Sequence, residues 1–236
     1  MRIVVLGDGL LGSEIVRQTG WDYLSRKKDG FDITQDEEFG SYFTSTDNTT
    51  KYDVILNCIA CTDTYSSSRD VHWDVNFKSV VSLSNFCTAH HIKLVHISTD
   101  YVYTNSESEA SEDSVPVHGD NWYSYTKLLG DSYVQLNPEH LILRETHKET
   151  PFKYSGAWIN QIGNFDYVDV VAKVIIDLTK YNAKGLYNVG TELKNMLELA
   201  KRTKSDVLPI LSQQSKMPTN VSMNITKLNN FYDNIQ

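Results

Sequence analysis

Tyr123 and Lys127 stand four residues apart in the run Tyr123-Ser124-Tyr125-Thr126-Lys127. On a helix that spacing puts both side chains on one face and sends Tyr125 elsewhere. A free phenol, with a pKa of about 10, is a poor acid–base group at neutral pH. A cation one turn away stabilises the phenolate and draws that value toward the working range. Tyr-x-x-x-Lys arises by chance on many helices, so its weight depends on what accompanies it. Upstream, Val95-His96-Ile97-Ser98-Thr99-Asp100-Tyr101-Val102-Tyr103 sets the Thr99 hydroxyl at the carboxyl end of an apolar run. Open α/β sheets place their chemistry at such strand ends.

A second chemical signal lies at the start of the chain. Gly7-Asp8-Gly9-Leu10-Leu11-Gly12 follows the apolar run Ile3–Leu6 and opens a helical pattern. In a strand–turn–helix context each glycine has a task. Gly7 permits the tight turn, Gly9 lets the backbone approach a diphosphate, and Gly12 lets helix and strand pack closely. Leu10 and Leu11 lie in the first turn, whose N–H groups and dipole favour an anion. The competing reading is a glycine-rich turn without a ligand. The residue that selects the adenosine ribose is expected about twenty residues further on, where the chain reads Leu24-Ser25-Arg26-Lys27-Lys28. Ser25 and Arg26 suit a 2′-phosphate, Arg26 bidentately, so NADP(H) is favoured. Asp29 leaves NAD(H) open, and a solvated basic turn is the alternative. Asp32 and Ile33 follow, to cap the next element or meet the adenine edge.

These groups need a scaffold. Apolar runs at Ile3–Leu6, Val54–Ala60, Leu94–Ser98, Leu141–Leu143 and Gly185–Val189 read as strands. Between them Leu10–Gln18, Asp74–His90, Tyr123–Leu136 and Val168–Tyr181 read as helices. Strands buried on both faces alternating with helices describe an α/β fold, a Rossmann-type doubly wound parallel sheet. Loops are expected over Thr44–Lys51, Thr104–Asn121 and Thr146–Asn164. With 236 residues and 40% hydrophobic composition, the chain can bury a core without staples. Thirty acidic against 22 basic residues, net −8, argue against nucleic-acid or anionic-membrane partners. Three cysteines fit a reducing compartment. The amino-terminal apolar run is too short for a signal sequence and no window suits a membrane span. A cytoplasmic protein is expected.

Taken together, Gly7–Gly12, Asp32-Ile33-Thr34, Asp53–Ala60, His96–Tyr103, Trp122–Asp131 and Leu141–Arg144 resemble the extended short-chain dehydrogenase/reductase superfamily. Within it, the chain is similar to the dTDP-4-dehydrorhamnose reductase group. The resemblance implies that Tyr123 donates the proton, Lys127 is its electrostatic partner and holds the nicotinamide ribose, and Thr99 steadies the substrate carbonyl. It implies that Ala60, Cys61 and Thr62 run beside the cofactor with Asn76 supporting that wall, and that Asp100 and Tyr101 face the substrate, a nucleotide-linked keto sugar. Dehydratases of the superfamily carry Asp-Glu after the Thr; here Tyr101 follows Asp100. Extended members often dimerise through helices flanking the Tyr-Lys segment, which points to a homodimer.

Three departures stand out. The glycine motif is one residue shorter than GxxGxxG. Met217 precedes Pro218 where the reductases carry Arg. Only 22 positions separate Arg144 from Asp166, a stretch much longer in the family. The expected organisation is a dinucleotide-binding core over 1–145, its last elements near 165–190, and a reduced substrate lobe from 146–164 and 191–236. Two rivals to the reductase remain: an NAD-dependent nucleotide-sugar epimerase with the same Thr/Tyr/Lys set, and a non-catalytic NADP-binding regulatory subunit. Cys58-Ile59-Ala60-Cys61 reads as small hydrophobes rather than half a metal site, so no metal is expected. His90-His91 reads as a helix end. The acidic run Glu107–Asp113 reads as a solvated face, with a flap over the site as the alternative.

Overall fold

In a computed structural model, residues 1–104, 106–114, 121–212 and 218–235 are described. Met217 lies outside them, as does part of the Thr104–Asn121 loop. The five apolar runs and one further strand, Asp22–Leu24, pair as a six-stranded sheet. Its strands are β1 (Ile3–Leu6), β2 (Asp22–Leu24), β3 (Val54–Asn57), β4 (Lys93–Ile97), β5 (His140–Arg144) and β10 (Gly185–Asn188). The order is β10-β5-β4-β3-β1-β2 and every pairing is parallel. The chain leaves β1 for β2 on one side and returns to β3 on the other. The carboxyl ends of β1 and β3 therefore flank the switch point where such sheets bind ligands.

Alternation along each strand sends successive side chains to opposite faces. Ile3 and Val5 face α1 (Leu10–Thr19) and α7 (Val168–Lys180); Val4 and Leu6 face the other layer. That second layer holds α5 (Ser79–Ala89) and α6 (Trp122–Val134), which bury Val80, Leu83, Cys87 and Val134. It also holds α3 (Phe39–Phe43), whose two phenylalanines join that core, and α4 (Arg69–Trp73), which packs on α6, while the short α2 (Arg26–Asp29) follows β2. The helix expected over Asp74–His90 starts earlier, because α4 runs through a π turn at Asp74–Lys78 into α5. His90 is its C-cap.

Other boundaries differ for local reasons. The strand expected to reach Ala60 stops at Asn57, whose Oδ1 accepts the Ile59 N–H at 3.0 Å and turns the chain. The stretch 146–164, expected as a loop, carries β6 (His147–Lys148), β7 (Gly156–Trp158) and β8 (Ile162–Gly163). Their partners come from distant sequence: β9 (Asp166–Tyr167), β11 (Lys194–Asn195), β12 (Leu208–Ile210) and β13 (Asn220–Val221). Two- and three-residue strands with remote partners leave no periodicity to read. With α8 (Met196–Lys201), which has an Asn195/Glu198 capping box, they enclose a core including Phe152, Phe165, Tyr167 and Leu199. The unforeseen α9 (Thr226–Ile235) seals the edge at β10 by burying Leu228 in the main core.

Candidate active site

The glycine turn is forced by contacts at both ends. Gly7 has φ +97°, and its N–H donates to the Leu24 carbonyl at 2.9 Å. A Cβ on Gly12 would stand 2.1 Å from the Gly7 oxygen, so only glycine lets α1 pack so close to β1. Gly9 caps α1 without a side-chain hydrogen bond, and nothing lies within 4 Å of where its Cβ would be. That open cradle at a helix start fits a dinucleotide diphosphate. Leu11 packs into the core while Leu10 is exposed. A groove of about 660 Å³ borders Gly9 and Leu10 and continues between α1 and α7; its walls do not include Tyr123 or Lys127.

After β2, Ser25 is buried and its hydroxyl accepts the Lys28 N–H, capping α2. Its own N–H donates to Asp29 Oδ2 at 3.0 Å. Arg26 and Asp32, expected to act separately, form an ion pair at 2.7 Å. Arg26 holds the Asp32 carboxyl below the usual range, and Asp32 also caps Thr34. Ile33 is core. Beyond β3, Asn76 holds Cys61 from both sides, accepting its N–H at 2.8 Å and donating to its carbonyl at 3.0 Å. It donates also to Thr126 on α6. The segment holding Ala60, Cys61 and Thr62 is thereby tied to the helix that carries Tyr123. The half-buried Cys58 has its thiol pushed up by desolvation. Among the described residues no group of three or more His, Cys, Asp or Glu is placed to hold a metal ion.

Tyr123 and Thr99 meet. Thr99, two residues past β4, caps the turn Asp100–Tyr103 by accepting the Tyr101 N–H at 3.2 Å, and its hydroxyl lies close enough to the Tyr123 phenol to favour the phenolate. Burial pushes the Tyr123 phenol up. Lys127, four residues further along α6, is buried. Its ammonium position lies inside the protein, where Nζ donates to the Ile97 carbonyl at 2.6 Å and stands 3.2 Å from His96 Nε2. Burial brings Lys127 down to about 8, against the pull of Asp131 and Glu145. Asp100 is fully buried and pushed up to about 7, mainly by desolvation. Its Oδ1 accepts from Thr146 at 2.5 Å, and its Oδ2 has no hydrogen-bond partner among the described residues. The Tyr101 ring stands edge-on to Tyr123 at 6.2 Å.

Several groups in this site escaped the sequence reading. Asn57, His96 and Arg144 occupy alternate positions that are otherwise apolar on β3, β4 and β5, facing α6. Asp131 on α6 accepts from Ser98 at 2.8 Å and from Arg144 Nε at 3.1 Å. The signal was available: each is a polar residue at a strand position where period two demands an apolar one. Glu145 and His147, paired at 2.9 Å, lie just past the recognisable motif. The acidic run after Tyr103 is neither wholly solvated nor free. Ala110 is buried against Met223, and Glu112 accepts the Asn188 N–H at 3.0 Å.

A switch-point glycine turn, a Thr–Tyr pair at the carboxyl edge of a parallel sheet and a lysine one turn along the helix define a Rossmann-type, short-chain dehydrogenase/reductase-like fold and site. The chain belongs to the RmlD substrate binding domain family, whose profile matches residues 1–148. It is 28% identical over 167 residues to dTDP-4-dehydrorhamnose reductase of Mycobacterium tuberculosis, covering 66% of this chain and 51% of that one. It is 26% identical over 207 residues to ADP-L-glycero-D-manno-heptose-6-epimerase of Brachyspira hyodysenteriae, covering 73% and 65%. The chain thus spans half to just under two thirds of the length of these relatives. In fold it resembles dTDP-4-dehydrorhamnose reductase of Bacillus anthracis in complex with NADP, with a TM-score of 0.81, 21% identity, and 98% and 91% of the two chains covered.

Proposed function

We propose that the protein is an NADPH-dependent reductase of a keto group on a nucleotide-linked deoxysugar. The observation that carries this reading is the Thr99 hydroxyl set next to the Tyr123 phenol at the carboxyl edge of the sheet, the same edge that carries the glycine turn. When bound, the nicotinamide supplies a hydride to the carbonyl carbon. Gly7, Gly9 and the first turn of α1 hold the diphosphate, and Ser25, Arg26 and Asp32 meet the adenosine end. Arg26 reaches a 2′-phosphate only by leaving Asp32, so Asp32 sets the discrimination between NADP(H) and NAD(H). Ala60, Cys61 and Thr62, clamped by Asn76, line the dinucleotide. Thr99 orients the substrate carbonyl, and Tyr123 gives its proton to the carbonyl oxygen as the alcohol forms. Asp100 and Tyr101 face the sugar.

The test is NADPH consumption with dTDP-linked 4-keto-6-deoxy sugars, comparing wild type with Tyr123→Phe. Turnover by wild type that the variant loses supports the reading; equal rates refute it. A second reading, an epimerase retaining its nicotinamide, draws on the heptose epimerase relative and on the buried Asp100 as an extra acid–base group. It predicts purified protein carrying bound nucleotide. The non-catalytic regulatory reading predicts binding without turnover. The Tyr-Lys helix α6 exposes Tyr133 and Ser132 on its outer side and packs beside α5, the surface through which a homodimer would form.

A further inference from the structure

Asn57, His96 and Lys127 form a buried row behind the Thr99–Tyr123 pair, and their donors and acceptors fix where one proton sits. β3 and β4 pair with Asn57 opposite His96. Both side chains face α6, among apolar neighbours such as Ile55 and Leu94. None of the three has more than 1% exposure. Asn57 Oδ1 accepts the Ile59 N–H at 3.0 Å, so turning the amide over would set Nδ2 against that N–H. Nδ2 therefore faces His96 Nδ1, at 3.4 Å, and Nδ1 is the acceptor. Burial, the leading cause, keeps His96 neutral. A neutral imidazole that accepts at Nδ1 carries its hydrogen on Nε2. Asp131 Oδ1, buried without a partner among the described residues and 3.9 Å from Nε2, favours the same placement. This tautomer is assigned from the network.

Nε2 stands 3.2 Å from Lys127 Nζ, which already donates to the Ile97 carbonyl. An ammonium has only donors, so Nε2–H and Nζ–H would oppose each other; an amine offers a lone pair. We propose that His96, oriented by Asn57, is a positioning residue that favours the amine form of Lys127, so that the lysine exchanges its proton within the working pH range instead of standing as a fixed cation beside Tyr123. The catalytic consequence rests on the reductase reading; the proton placement does not. The other groups facing Lys127 are Asp131 on α6, Glu145 after β5 and Cys58 after β3. The two carboxylates favour the ammonium, but Arg144 on β5 pairs with Asp131 at 3.1 Å and weakens that pull.

The test is nuclear magnetic resonance on the whole chain. With histidine labelled in both ring nitrogens, and His96 assigned by its loss in His96→Phe, wild type is expected to show a protonated Nε2 and a bare Nδ1. With lysine labelled at Cε, and Lys127 assigned by its loss in Lys127→Met, the lysine is titrated in wild type and in His96→Phe. Phenylalanine keeps the ring but removes the opposing N–H. Lys127 should then hold its proton to higher pH by about one unit, roughly tenfold in proton affinity. If Nε2 instead accepted from an ammonium, the same change would remove a stabiliser and move the titration down. A protonated Nδ1 in wild type, or a shift that is absent or downward, overturns the proposal. If His96→Phe does not fold, the wild-type tautomer, assigned through His96→Gln, decides alone. Failure of the reductase reading would show as absent NADPH turnover and leave these signals unchanged.

Discussion

Replacing Asp131 by alanine probes the polar cluster that joins fold to site. Asp131 is fully buried, accepts from Ser98 Oγ and Arg144 Nε, and is the first of the groups that sustain a proton on Lys127. Arg144 is itself 3% exposed. It keeps a hydrogen bond to the Tyr103 hydroxyl at 2.8 Å but would lose its only ion-pair partner among the described residues. Breaking a buried pair from one side costs about 3–5 kcal/mol, because the remaining charge is stranded. For a chain of this size each kcal/mol corresponds to roughly 2–4 °C in melting temperature. Asp131→Ala should therefore lower the melting temperature by about 6–20 °C and the urea midpoint in proportion. The double variant Asp131→Ala with Arg144→Met should recover much of the loss, because the stranded charge is gone. Lys127 should also titrate at lower pH in Asp131→Ala, since a favourable carboxylate has been removed. A loss under about 1 kcal/mol, or a double variant as unstable as the additive sum, would refute the reasoning.

Tyr123→Phe should leave NADPH affinity within a few fold and cut turnover by about 10²–10⁴, measured by steady-state kinetics, because the acid is needed only in the transition state. Gly12→Ala puts a Cβ 2.1 Å from the Gly7 carbonyl oxygen, so the turn must shift; the variant should fold less stably and show no NADPH-induced rise in melting temperature. Asp100, raised to about 7 in the folded state, holds a proton that the unfolded chain releases near pH 4, so its contribution is present at low pH and lost as pH rises through that window. Urea unfolding of Asp100→Asn should accordingly lose up to about 4 kcal/mol less between pH 4 and 7 than wild type does; equal losses would contradict the shift.

The parallel sheet was legible because strands buried on both faces are written as continuous apolar runs, and because Gly7, Gly9 and Gly12 punctuate the first crossover. Tyr123, Lys127 and Thr99 were legible as types and spacings. What sequence did not convey is where Lys127 points. Its ammonium end is set by Ile97 and His96, partners 30 and 31 residues away that only the register of β4 under α6 brings close. The same holds for Arg26, whose pairing with Asp32 depends on the α2 cap at Ser25 and not on any local pattern. The small sheets after β5 were illegible because each strand is too short to show a period and its stability comes from remote partners. Asn57, His96 and Arg144 could have been found as polar interruptions of apolar alternation. Reading the strands as wholly buried hid them.

The most direct test of the central claim is the melting temperature of nucleotide-free protein titrated with NADPH and, separately, with NADH. A ligand that binds only the folded state stabilises it by about 2.7 kcal/mol at a hundred times its dissociation constant, or roughly 5–11 °C here. A rise of that order is expected with NADPH, and a smaller one with NADH at equal concentration. No rise with either would contradict it, because the glycine turn and its open cradle would then hold no dinucleotide.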